Sequence, residues 1–158
     1  MPYYFVDGSL TASAAFNQHG ALIYATSTNG SALRRGRVYE LLMGAASAPA
    51  ATDTPIAYDL SRITTSTSGG TSYAPQVSDP AEVATPSALA YITASGATVT
   101  ANSSLFAVAL NQRNSQRWTA AQESQMLIYP ATSGNGFAFR ALSPAYAAGV
   151  KTGLYFQE

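Results

Sequence analysis

The apolar residues of this chain come in short bursts rich in Tyr, Phe, Val, Ile and Leu, cut apart by clusters of Gly, Ser, Asn and Pro. An amphipathic helix needs apolar positions recurring every three to four residues over roughly ten residues or more, whereas a half-buried strand needs only a brief alternating run between turns. The punctuation therefore points to an all-β fold, an antiparallel β-sandwich. Strands are expected over Tyr3–Val6, Ala21–Thr26, Arg37–Met43, Ile56–Thr64, Ala90–Ala94, Leu105–Asn111, Gln116–Thr119, Met126–Tyr129, Gly136–Ala141 and Gly153–Gln157.

Two of these carry clear alternation. In Leu105–Asn111, Phe106, Val108 and Leu110 share one face and Ala107 and Ala109 the other; in Ile56–Arg62, Ile56, Tyr58 and Leu60 face away from Ala57, Asp59 and Ser61. Ile56, Leu60 and Ile63 also stand at helical spacing, but Pro55 and the Thr run that follows favour a strand.

Residues 64–90 have no sustained period and read as one long loop stiffened by Pro75, Pro80 and Pro86. Long loops in compact domains usually function or lie against a partner, so this segment is expected to reach a neighbouring molecule, as are the residues up to Leu33. The Ala-rich segment Gly44–Thr54 reads as a connection crossing between sheets.

Composition then narrows the function classes. The chain has 158 residues, enough for one core, and only 10% of them are charged against 47% hydrophobic. So few charges leave either a polar uncharged skin or a surface covered in an assembly. Eight basic and eight acidic residues cancel, giving no long-range field to attract nucleic acid or an anionic membrane. No apolar run approaches the ~20 residues that span a bilayer, and the amino terminus lacks the basic and apolar segments of a secretory signal.

Candidate chemistry is sparse. A Ser-His-Asp hydrolase would have to use His19, the only histidine, which sits in a turn-like Asn-Gln-His-Gly stretch with no Gly-x-Ser-x-Gly elbow anywhere; a surface loop is the expectation for it. One His without Cys makes no zinc site, and Asp53 and Asp59 belong to no calcium loop. Neither a metal nor any other cofactor is expected. Asp53, Asp59, Asp79, Glu82 and Glu123 could supply a glycosidase pair, yet nothing local marks any two of them.

The basic cluster Arg34-Arg35-Gly-Arg37 and the polar run leading through Arg113 and Arg117 to Trp118, the only tryptophan, are better suited to an assembly surface, where Arg pairs with carboxylates or stacks on Tyr. Together with Tyr73 in the long loop, Arg34, Arg35, Arg37, Arg113, Arg117 and Trp118 form the expected interface set. Trp118 is expected in the core or at an interface, not as a ligand platform.

In order along the chain, Arg35-Gly-Arg-Val-Tyr-Glu, Leu60-Ser-Arg-Ile-Thr with its Gly-Gly-Thr loop and Pro-rich stretch, Asn111-Gln-Arg to Arg117-Trp, Leu127-Ile-Tyr-Pro-Ala-Thr with Asn135-Gly-Phe, and the closing strand to Glu158 resemble small virion proteins of tailed bacteriophages, of the jelly-roll kind that decorate or cement the capsid. The resemblance runs from Arg34 to Glu158. It implies a jelly roll of about eight strands over residues 34–158, with residues 1–33 as an arm or additional strands. It also implies a structural role on the capsid exterior, the major capsid protein and copies of the chain itself, as a homotrimer, as partners, and no active site. A carbohydrate-binding module or a head- or tail-fibre component would share the same low charge and Tyr-rich β pattern, and an enzyme would need His19 or a carboxylate pair in a concave site.

Overall fold

The computed structural model describes residues 2–16, 18–27, 32–65, 69–81, 85–144 and 146–158. Its strands are β1 (Tyr3–Ala12), β2 (His19–Ala25), β3 (Gly36–Ala45), β4 (Pro55–Ile63), β5 (Gly69–Tyr73), β6 (Gln76–Val77), β7 (Ala88–Ser95), β8 (Val99–Asn111), β9 (Ser115–Thr119), β10 (Leu127–Tyr129), β11 (Gly136–Leu142) and β12 (Ala148–Gln157). The one helical element among the described residues is a single 3-10 turn, Glu123–Gln125.

The strands form two antiparallel sheets that pack face to face as a β-sandwich. Sheet one runs β10-β3-β12-β1-β6, with β9 joining β10 on the same edge of β3; sheet two runs β5-β7-β2-β11-β4-β8. Each of the ten expected strands coincides with one of these. Ala46–Thr54 carries the chain from β3 in sheet one to β4 in sheet two, as the Ala-rich segment suggested.

Alternation decides which residues enter the core. On β1, Tyr4, Val6, Leu10 and Ala12 point inward and are buried, while Tyr3, Ser9 and Thr11 face solvent. Val38, Leu41, Leu154 and Phe156 extend the inner face of sheet one against Ile23, Ile56, Tyr58, Leu60, Phe137 and Phe139 of sheet two. Fully burying a side chain of this size contributes about 1.5–3 kcal/mol. The two sheets approach closely at one corner, where a Cβ on Gly8 would collide with the Gly20 carbonyl, so only glycine fits.

A carboxylate is built into this frame. Glu158, after β12, is buried, and its carboxylate accepts hydrogen bonds from the Tyr129 hydroxyl (2.8 Å), the Ser87 amide (2.6 Å), the Ser87 hydroxyl (3.1 Å) and the Ala88 amide (3.0 Å). Four donors replace the water the charge has lost, and they pin β10 and the start of β7 to the end of sheet one. Burial, reinforced by the Glu158 charge, holds the Tyr129 hydroxyl well above the usual phenol range, so it stays a donor.

Two expectations change. Residues 64–90 are not one loop: Gly69–Tyr73 pairs with β7 and Gln76–Val77 pairs with β1. Strands this short carry too few residues to show a period, and Thr71, Ser72 and Gln76 make them polar. Residues 66–68 and 82–84, with Glu82, lie outside the described set. His19 is not in a surface loop but opens β2, 4% exposed. The residues before Leu33 supply interior strands, with β1 between β12 and β6 and β2 between β7 and β11.

Candidate binding face on sheet one

Register places four outward rings side by side on sheet one. Phe5 pairs with Tyr155, whose other neighbour is Glu40, and a bulge between Tyr155 and Phe156 leaves Tyr39 as the extra residue of β3. The Phe5 and Tyr155 rings stack with centroids 4.9 Å apart, Tyr155 meets Tyr39 at 6.1 Å, and Tyr39 meets Tyr3 edge-on at 5.6 Å. Tyr3 is 50% exposed, which for a large aromatic on a rigid strand leaves much of a ring face open to solvent. Burial, followed by the Glu40 charge and the neighbouring phenols, raises the Tyr39 hydroxyl above its ordinary pKa, so Tyr39 presents a neutral hydroxyl.

One register step away the face dips. Asp7, Gly153, Leu42 and Arg117 follow one another across β1, β12, β3 and β9, and Gly153 has no side chain to fill the row. The result is an open groove of about 640 Å³ walled by Phe5 and Tyr155, with Leu42, Gly44 and Gly153 along it and Lys151, Gln116 and Arg117 at its rim. Arg117 clamps Glu40 with both arms of its guanidinium at 2.7 Å, and the pairing raises the pKa of the guanidinium further. Lys151 reaches Asp7 at 3.4 Å. The face therefore combines apolar rings with fixed, paired charges of both signs.

The residues expected at an interface do not form one patch. Arg117 is on this face. Arg37 is ion-paired with Glu123, and Arg113 in the β8–β9 turn bonds Asp53 at 2.9 Å, where hydrogen bonds from Arg113 first and Gln112 second hold the Asp53 carboxyl below its ordinary pKa. Arg34 and Arg35 are exposed just before β3, and the Arg34 amide donates to the Ser87 hydroxyl. Tyr73 is half-buried on β5 against the core. Trp118 pairs with Leu41 and turns inward, its ring 6.0 Å from Phe106, so it closes the seam between the sheets and is unavailable as an open platform.

What sequence reasoning missed is the row Tyr3, Phe5, Tyr39 and Tyr155 and its polar companions Asp7, Glu40 and Lys151. Alternation on β1 does separate Tyr3 and Phe5 from Tyr4 and Val6, but both sets are apolar, so the pattern alone does not say which faces water. The bulge that brings out Tyr39 has no sequence signature.

The outward face of sheet two carries the other concentration of polar groups. Arg140 bonds Asp59 through Nε at 3.0 Å and Ser61 through Nη2 at 3.1 Å, and the Ser61 hydroxyl donates to Asp59 at 2.6 Å. Asp59 is desolvated, yet its hydrogen bonds and the Arg140 charge outweigh that and hold its pKa below the ordinary value. The Arg140 guanidinium lies 4.4 Å from the Phe16 ring centroid, which caps the cluster. Every oxygen named here serves the ion pair, and no groove opens onto it among the main concavities of the described residues. Among those residues no group of three or more His, Asp and Glu side chains converges as metal ligands would, and no helix is long and apolar enough to cross a membrane. Compared with known proteins, the chain matches no family model and no curated sequence.

Proposed function

We propose that this protein is a non-catalytic jelly-roll component of a virion that decorates and cements a bacteriophage capsid, docking on capsid subunits through the outward face of sheet one. The observation that carries the reading is the outward row Tyr3, Tyr39, Tyr155 and Phe5, with Tyr3 exposed and the other three rings half-buried, beside a shallow groove rimmed by fixed charges. Aromatic residues and Arg at the centre of a patch with a polar rim make up the composition of protein interfaces.

Strand order supports the jelly-roll part. With β5 to β7 set aside as an insertion and β10 counted with β9, the remaining eight strands pair first with last (β1–β12), second with seventh (β2–β11), third with sixth (β3–β9) and fourth with fifth (β4–β8). That is a long hairpin rolled into two sheets, an architecture used by capsid and lectin domains. The low charge fits a surface covered in an assembly.

Capsids prepared without the decorating protein test this directly. The purified protein should co-sediment with them and add density outside the shell, and a Tyr39→Ala/Tyr155→Ala variant should stay folded and fail to bind. Failure of the unaltered protein to bind any such shell would defeat the proposal. The same rings beside Asp7, Gln116 and Lys151 also suit stacking and hydrogen bonding to a sugar, so a glycan array that captures the protein through this groove would favour the carbohydrate-binding reading instead.

A further inference from the structure

The sheets end on edge strands, and one of them lacks the usual protection. An unpaired edge offers a row of free N–H and C=O groups to any other strand, and stable monomers blunt it with charge, proline, bulges or brevity. Here β6 and β10 are two and three residues long, β5 contains two glycines in five residues, and β9 carries Arg117. The outermost strand of sheet two, β8, is the longest in the fold at 13 residues and contains neither charge nor proline. Its first half is irregular: Asn102 adopts φ 54° and the register against β4 slips around Ser61. From Leu105 to Asn111 the strand is regular, in unbroken register with β4 from Phe106 onward, and no described strand pairs with its outer edge.

A second observation lies on the same strand. Phe106, Val108 and Leu110 point into the core, yet all three remain only half-buried even with Trp118 against Phe106, because no described strand lies beyond β8. A residue row patterned for the interior and left half-wet is a seam awaiting cover.

We infer that β8 pairs antiparallel with β8 of a second copy of this chain, about a two-fold axis at Val108, joining two copies of sheet two into one continuous sheet. The occupant is a second copy because an antiparallel edge is self-complementary under two-fold symmetry, and because this edge, being uncharged, meets itself without like-charge repulsion. The axis falls at Val108 because that residue is the centre of the regular segment. Phe106 then faces Leu110 of the partner subunit, completing the burial of both, and on the solvent side Ala107 faces Ala109 of the partner subunit. The inference is independent of the docking face on sheet one, which lies on the other sheet, and it replaces the expected three-fold arrangement with a two-fold one for the free protein.

The register makes the test specific. Ala107 and Ala109 are exposed, so Ala107→Lys/Ala109→Lys should leave the fold intact while setting Lys against Lys twice across the axis; Ala107→Lys/Ala109→Glu sets Lys against Glu twice. Sedimentation of the unaltered protein should give twice the 16.4 kDa chain mass. The Lys/Lys variant should dissociate at concentrations at least ~10-fold higher, the Lys/Glu variant should restore association, and circular dichroism should report the same fold for all three. Since the chain has no cysteine, Val108→Cys should also yield a covalent dimer under mild oxidation. A monomer at all concentrations, or an oligomer equally tolerant of Lys/Lys and Lys/Glu, would overturn the inference.

Discussion

Both sheets turn aromatic rings outward, but they treat them differently. On sheet two, Tyr24 and Tyr91 lie nearly parallel with centroids 6.0 Å apart, and Tyr24 is only 5% exposed. A small second core accounts for this: Leu22, Tyr24, Ile63, Ala94 and Ala138 are buried with Leu89, Tyr91, Ala97 and Val99 packed against them. On sheet one the Tyr3, Tyr39, Tyr155 and Phe5 row has no such layer over it among the described residues. Outward rings therefore mark a binding surface only where the chain has not spent its own residues covering them, and that distinction is tertiary.

The largest effect should come from the covered side. Arg140→Ala would leave the Asp59 carboxylate desolvated beside Ser61 with its cation gone. Removing one partner of a buried pair costs about 3–5 kcal/mol, which chemical denaturation would record as a lower midpoint at unchanged slope. A loss below ~1 kcal/mol would mean that water reaches Asp59 and that this face is less closed than described.

Acid should act on the same side. His19 is held at a pKa of about 4 by burial first and by the Arg140 charge second, with a hydrogen bond to the Ala97 backbone pulling the other way. Its Nδ1 has no hydrogen-bond partner among the described residues. The unfolded chain takes up this proton near pH 6.5, so between about pH 6.5 and 4 the unfolded state binds more protons and stability falls as the pH is lowered. The slope is about 1.4 kcal/mol per pH unit at most and the total on the order of 3 kcal/mol. Below pH 4 the contribution levels off. Unfolding measured across this range should lose most of that dependence in His19→Gln, and a pH profile identical in the two proteins would contradict the burial of His19.

Much of this architecture is legible in the sequence. Short alternating runs such as Leu105–Asn111 locate strands because one face must meet the core, and Ser, Gly and Pro clusters locate the turns. What stays hidden depends on contacts made across the fold. His19 reads as a turn residue from Asn-Gln-His-Gly, yet Arg140 across the ladder and Ala97 beyond β7 enclose it. The strands β5 and β6 are too short and polar to register. Trp118 is the one interface candidate whose inward role its neighbours suggest, since it alternates with Arg117, which faces out.

The smallest stability effects belong to the open face. Tyr39→Ser should cost less than the changes at the covered side, under ~2 kcal/mol, because its ring is only half-buried on the outward face of sheet one, while weakening attachment to capsids. A larger loss in a denaturation curve would place Tyr39 among the structural rings.

One matched pair of variants tests the account most directly: Tyr155→Ala on sheet one and Tyr24→Ala on sheet two, each measured for unfolding free energy and for co-sedimentation with undecorated capsids. Tyr24→Ala should cost about 2–4 kcal/mol, in the range of large-to-small changes at buried sites, and bind capsids normally wherever it is folded. Tyr155→Ala should lose less than half as much stability and abolish binding. Equal destabilisation by the two changes, or full capsid binding by Tyr155→Ala, would contradict the assignment of sheet one as the docking face.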